Sequence, residues 1–172
     1  VSALGQLAVQ GVSLKWPNDI VALDGKLGGI LTEVQAGSSD NATVVTGLGI
    51  NVDIGERVDF GVESDWAHQP VDLKSLAGDP PARELLAGTL INHLFLAFRR
   101  FDEYGLEGFM DEWRKHDWLR GKEIVVELPD RQVAGVAAGI DDRGVLLVET
   151  PEGKVPVISG SILMAGAGAS AQ

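Results

Sequence analysis

The 172 residues carry 14 Lys and Arg against 25 Asp and Glu, a formal net charge of −11, with 45% apolar residues and no cysteine. The apolar fraction suffices for a buried core, the acidity argues against a nucleic-acid groove, and the lack of cysteine excludes disulfides, thiolate metal sites and a cysteine nucleophile. No apolar run approaches a membrane span and neither a secretory leader nor a lipidation box is visible. The expectation is therefore a cytoplasmic globular protein that binds neither membrane nor, through this chain, nucleic acid.

Residues 1–10 have helical spacing, with Leu4, Leu7 and Ala8 on one face and Gly11 suited to the C-terminal cap. The chain starts with Val1 inside this pattern, which suggests a piece of a longer protein. Val12, Leu14 and Trp16 then alternate as in a strand until Pro17 forces a turn. Asp24-Gly25 is a hairpin signal. Residues 26–35 and 43–52 read as the next strands, with a polar loop over 36–41 between them.

Residues 55–78 are charged, turn-rich and aperiodic, and read as a long surface loop of the kind that often carries function. Asp79-Pro80-Pro81 signals a helix start, followed by Leu86, Leu90, Leu94, Phe98 and Phe101 at helical spacing up to Gly105. A shorter helix carries Leu106, Phe109, Met110 and Trp113, and both helices are expected to cover a core. Beyond Trp118, four or five short strands over about 45 residues suggest a small antiparallel barrel. Residues 166–172 read as a disordered tail. His68, His93 and His116 are too scattered to suggest a zinc site.

Chemistry concentrates in Lys15-Trp16-Pro17-Asn18-Asp19, in Gly25-Lys26-Leu27-Gly28-Gly29-Ile30-Leu31 and in Gly47-Leu48-Gly49-Ile50-Asn51. The last does not make a dinucleotide fingerprint, because the third glycine would fall on Val52. Strand alternation predicts that Lys26, Gly28, Ile30 and Thr32 share one face, and that Val45, Gly47, Gly49 and Asn51 share another. Two glycines on one strand face suit either a ligand floor or a close-packed backbone. Asn18, Asp19, Lys26 and Asn51 add a carboxylate, a cation and two amides, a set that fits a phosphate group and a metal ion.

The order and spacing of K-W-P-N-D, K-L-G-G-I-L and G-L-G-I-N resemble the catalytic domain of bacterial biotin–protein ligases, and the resemblance continues through the long helix to the C-terminal strands. It implies an α+β fold: a mixed or antiparallel sheet with covering helices over residues 1–117, then an SH3-like barrel over 118–165. It implies ATP-dependent formation of biotinyl-5′-AMP and transfer of biotin to a lysine of a biotin carboxyl carrier protein, with ATP, biotin and Mg2+ as ligands. Lys26 takes the catalytic position beside biotin's carboxylate and the α-phosphate. Asn18, Asp19 and Asn51 take positions near the nucleotide, with Asp19 toward magnesium, and Gly29, Gly47 and Gly49 line the biotin pocket. Trp66, with Val62 nearby, falls where some members cover the adenine, and members can pair as homodimers through the central sheet.

The family's glycine- and arginine-rich loop, which precedes this region, is not within the 172 residues, nor is the DNA-binding module of the repressor-type members. Ile162-Leu163-Met164-Ala165 lacks the arginine with which some members end the last strand. A lipoate–protein ligase and a carrier-protein binding module without catalysis are the competing readings.

Overall fold

The computed structural model describes residues 1–36, 42–55 and 70–164. It opens with a short helix, α1 (Ser2–Gln6), followed by β1 (Val12–Lys15), β2 (Asp19–Ala22), β3 (Gly25–Ala36) and β4 (Ala42–Ile50). These strands form one antiparallel sheet in sequence order. α1 is shorter than its spacing predicts: Ala8 turns to φ 61° and delivers Val9 into the core. A glycine at position 5 lowers the helical preference that would have carried the turn further.

The segment expected as one strand running into a turn is a hairpin, β1 against β2, bent at residues 16–18. The next hairpin turns on Leu23 and Asp24, at φ 48° and 54°, one residue earlier than Asp24-Gly25. Two consecutive left-handed residues match the twist of the flanking strands, and the closing pair is Ala22 with Gly25.

Within residues 55–78 the described part contains a short helix, α2 (Leu73–Ala77), rather than loop alone. Buried Asp72 caps it by accepting from Ser75 N, and the same carboxylate accepts from Ile54 N. The long helix α3 (Arg83–Tyr104) begins beyond the prolines and has no side-chain cap, so Asp79 does not serve as one; it ends at Gly105, at φ 58°. A 3-10 turn over Gly105–Phe109 leads into α4 (Met110–His116). Of α3 only Leu86 is fully buried, while Leu85, Ile91, Phe95, Leu96, Phe98 and Phe101 are exposed, so this helix covers less core than its periodicity implies.

The remaining strands are β5 (Glu123–Glu127), β6 (Gln132–Ile140), β7 (Leu146–Thr150), β8 (Gly153–Val157) and β9 (Ser161–Met164). They form a second antiparallel sheet in the order β8-β7-β6-β5-β9, the SH3-like unit, with β9 returning to pair with β5. Its core is Leu119, Ile124, Val126, Val148 and Val157, joined by Trp16 from the first sheet. A second core, around Leu4, Ile20, Leu27 and Leu73, lies under the first sheet. Trp16 also donates from Nε1 to the carbonyl of Gly144 at 3.0 Å, and Trp118 N donates to Leu14 O at 2.8 Å. The two sheets are thus joined at the turn that carries K-W-P-N-D.

Candidate functional site

The registers of the first sheet align four residues in one rung. Lys15 pairs with Asp19, Asp19 with Gly29, and Gly29 with Gly49. Directly paired residues point to the same side of a sheet, so a cation, a carboxylate and two glycines share a face. Leu31 and Gly47 pair two residues further along and extend it. The opposite face carries Ile20, Gly28, Ile30, Leu48 and Ile50.

A bulge decides where Lys26 points. Between the Asp19/Gly29 end and the Ala22/Gly25 end the register of β2 and β3 shifts: Ile20 faces Gly28 while Val21 faces Lys26, leaving Leu27 as the extra residue. Leu27 is fully buried in the core beneath the sheet. Simple alternation put Lys26 on the face of Gly28; the bulge moves it to the face of Asp19 and Gly29. There its Nζ meets Asp19 Oδ1 at 2.6 Å.

The two neighbouring glycines of β3 differ in what a side chain there would meet. A Cβ on Gly28 would stand 2.2 Å from the carbonyl oxygen of Gly49, so close packing of the strands accounts for this glycine. A Cβ on Gly29 would meet Asn18 O, Asp19 Oδ1 and Lys26 Cε at 3.5–3.7 Å, an ordinary fit at the foot of the ion pair. Gly49 has nothing within 4 Å and Gly47 only the carbonyl of Leu31 at 3.8 Å. Their face is open, and it is the face of Lys26.

The two asparagines are positioned by backbone hydrogen bonds. Asn18 Nδ2 donates to Ile30 O at 2.9 Å, while Asn18 O accepts from Ile30 N at 2.8 Å, which clamps the turn onto β3. Asn51 Nδ2 donates to the carbonyls of Lys26 and Val71, at 3.2 and 3.0 Å. Val71 N returns a bond to Lys26 O, and Leu73 N donates to Asn51 O. Asn51 and Val71, described residues on either side of the segment 56–69, are therefore both stitched beside Lys26. That segment, with Trp66, Val62 and His68, lies outside the described residues.

Lys15 is the member that reading by residue type passed over. It is 4% exposed, and its Nζ lies 3.8 Å from Asp19 Oδ2. Burial lowers its ammonium from the usual 10.5 to about 8; Asp19 opposes that shift and Lys26 adds to it. The signal was present as a lysine and an aspartate four apart across a tight turn, but only the hairpin register makes them face each other. The Asp19 carboxylate, 8% exposed, thus lies between two ammonium groups. That environment does not fit a resident magnesium ion, and no group of three or more His, Asp or Glu that could hold a metal occurs among the described residues. No described helix is long and apolar enough to cross a membrane.

The face as a whole can receive an anionic group. It offers a half-exposed ammonium at Lys26, a carboxylate that holds it, and a floor without side chains at Gly29, Gly47 and Gly49. A separate cavity of 470 Å³ lies on the other face, walled by apolar residues including Leu14, Ile30, Leu48, Leu90 and Trp113; neither Lys26 nor Asp19 is among its walls.

Comparison with known proteins gives two family matches: residues 4–51 match the biotin/lipoate A/B protein ligase family, and residues 120–164 match the biotin protein ligase C terminal domain. The chain is 34% identical to the bifunctional ligase/repressor BirA of Salmonella typhimurium, over 95% of this chain and 50% of that protein. It is also 34% identical to a biotin--[acetyl-CoA-carboxylase] ligase of Mycobacterium tuberculosis, over 87% of this chain and 52% of that one. The chain thus spans about half the length of the curated relatives it matches. Among solved structures, a biotin protein ligase from Aquifex aeolicus superposes with a TM-score of 0.79 at 22% identity, covering 95% of this chain and 70% of that one, and shows the same fold.

Proposed function

We propose that the chain is part of a member of the biotin/lipoate protein ligase family, and that the protein it forms is an ATP-dependent biotin–protein ligase acting through the face of Lys26. The observation that carries the reading is the rung Lys15–Asp19–Gly29–Gly49 with Lys26 folded onto its side. An ammonium held over a bare backbone floor suits a reaction in which negative charge gathers on a phosphate between two flat reactants.

In the first step one oxygen of biotin's carboxylate attacks the α-phosphorus of ATP, and pyrophosphate leaves. Lys26 contributes a cation next to the carboxylate and the five-coordinate phosphorus of the displacement, which stabilises charge developing there. In the second step the ε-amine of a lysine on a biotin carboxyl carrier domain attacks the acyl carbon, its proton passes to solvent or base, and AMP leaves. Gly29, Gly47 and Gly49 give biotin its floor, Asn18 and Asn51 fix the backbone around Lys26, and the adenine is assigned to Trp66, which lies outside the described residues. Magnesium would arrive on the phosphates of the nucleotide rather than reside on Asp19.

Biotin is preferred over lipoate because the C-terminal match is to the biotin ligase domain, whereas the N-terminal match spans both activities. The division into a catalytic part over 1–117, an SH3-like part over 118–165 and a tail over 166–172 belongs to the same proposal, as do cytoplasmic location and dimerisation. The test is biotin-dependent exchange of labelled pyrophosphate into ATP by the full-length natural protein. Lys26→Gln should lower the exchange rate by roughly 100-fold with an unchanged circular dichroism spectrum. Full activity in that variant would remove Lys26 from the mechanism, and exchange driven by lipoate instead of biotin would transfer the site to the other branch of the family.

A further inference from the structure

We propose that Lys15 is a positioning residue: its buried ammonium keeps the Asp19 carboxylate countered, so that Lys26 can leave Asp19 and bind an incoming anion. The inference rests on the reading above only for the identity of that anion. Asp19 is held from two sides, Oδ1 by Lys26 at 2.6 Å and Oδ2 by Lys15 at 3.8 Å. The two lysines differ in freedom. Lys26 has a side chain 48% exposed at the edge of the open face, whereas the Lys15 side chain is 4% exposed.

An anion that draws the Lys26 ammonium fully to itself takes it from Asp19. With Lys26 as its sole counter-charge, Asp19 would then be left as a lone carboxylate with its side chain 8% exposed, and stranding a buried charge carries a large penalty. Lys15 removes most of that penalty, because it stays in place when Lys26 moves. It is fixed by its pairing with Asp19 across the hairpin, and the turn between them is anchored at Trp16 in the core of the second sheet and at Asn18 on β3. Its positive charge also repels Lys26, which weakens the resting ion pair from the other side. Lys15 itself does not touch the reactants; it lowers the cost of releasing the lysine that does.

The test uses Lys15→Met and Lys15→Arg in the full-length natural protein, with two readouts. One is the rate at which acetic anhydride modifies Lys26 in the ligand-free protein, followed by mass spectrometry. The other is biotin-dependent ATP–pyrophosphate exchange. The methionine variant leaves Lys26 as the sole partner of Asp19, so its acetylation should slow by roughly threefold or more and kcat for exchange should fall by about tenfold. The arginine variant should restore both. If Lys15 merely held the hairpin together, its loss would loosen the site, and Lys26 would react at the same rate or faster; that result overturns the proposal. Should the methionine variant fail to fold, Lys15→Gln keeps a hydrogen-bond donor without the charge, and the same slowing is expected of it; unchanged Lys26 reactivity there also overturns the proposal. Acetylation requires no biotin chemistry, so a wild-type protein without exchange activity would sink the assigned reaction while still deciding the role of Lys15.

Discussion

Gly28 and Gly49 look alike in sequence and do opposite things in space. A methyl on Gly28 would stand 2.2 Å from the carbonyl of Gly49, so Gly28→Ala must push β3 and β4 apart. We expect it to cost about 3 kcal/mol in urea unfolding. Gly49→Ala meets nothing within 4 Å and should leave the unfolding midpoint unchanged; on the proposed assignment of this floor to biotin, its methyl should weaken biotin binding by calorimetry. Equal stability of the two variants would contradict the register described. Lys15 gives a pH-dependent prediction. Its ammonium is lowered by burial from 10.5 to about 8, so between those values the unfolded chain binds a proton that the folded chain has released. Stability contributed by this group therefore rises with pH across that window, as the penalty of a buried charge is relieved. Urea unfolding of wild type and Lys15→Met at about pH 8 and about pH 10 should show a rise in the wild type that the variant lacks.

At the scale of elements, the strand β3 and the short helix α2 bring the site together. The bulge at Leu27 turns Lys26 to the side of Asp19 while keeping Leu27 in the core, so one extra residue serves both faces of the sheet. α2 matters through its cap. Asp72 accepts from Ser75 N and, at 2.8 Å, from Ile54 N, tying Ile54 to the start of α2. Its carboxyl is held below the usual carboxylate range, with the Ile54 N–H as the main cause and the Ser75 contact next. Asp72→Ala leaves both donors without that partner and should cost about 1–3 kcal/mol in chemical unfolding. Asp72→Asn, which keeps an acceptor, should recover much of the loss.

For the whole molecule, the distribution of apolar surface is the unusual feature. The second sheet encloses a complete core, whereas the outer side of α3 and the far ends of β3 and β4 expose Phe95, Phe98, Phe101, Leu31, Val34 and Val44. Apolar surface this extensive seeks a partner in water. A protein of these 172 residues alone, 18.2 kDa, should therefore self-associate with rising concentration in sedimentation velocity, and a single species at the monomer mass throughout would show that these side chains remain solvated.

The sequence by itself determined most of the element types and a resemblance to one family, because those rest on local periodicity, turn chemistry and three motifs within 51 residues; it missed α2, which its aperiodic stretch gave no signal for. It also brought Lys26, Asp19, Gly29 and Gly49 forward as candidates by residue type. Tertiary structure alone decided which of them face one another. The hairpin turns one residue before Asp24-Gly25, and the bulge at Leu27 reverses the alternation that strand periodicity assumes, so the face of Lys26 could not be counted off along the chain. Pairing register is a property of two strands at once. That is why Lys15, unremarked in its motif, becomes the second counter-charge of Asp19 only when β1 folds back on β2 and burial removes the water that would otherwise separate them.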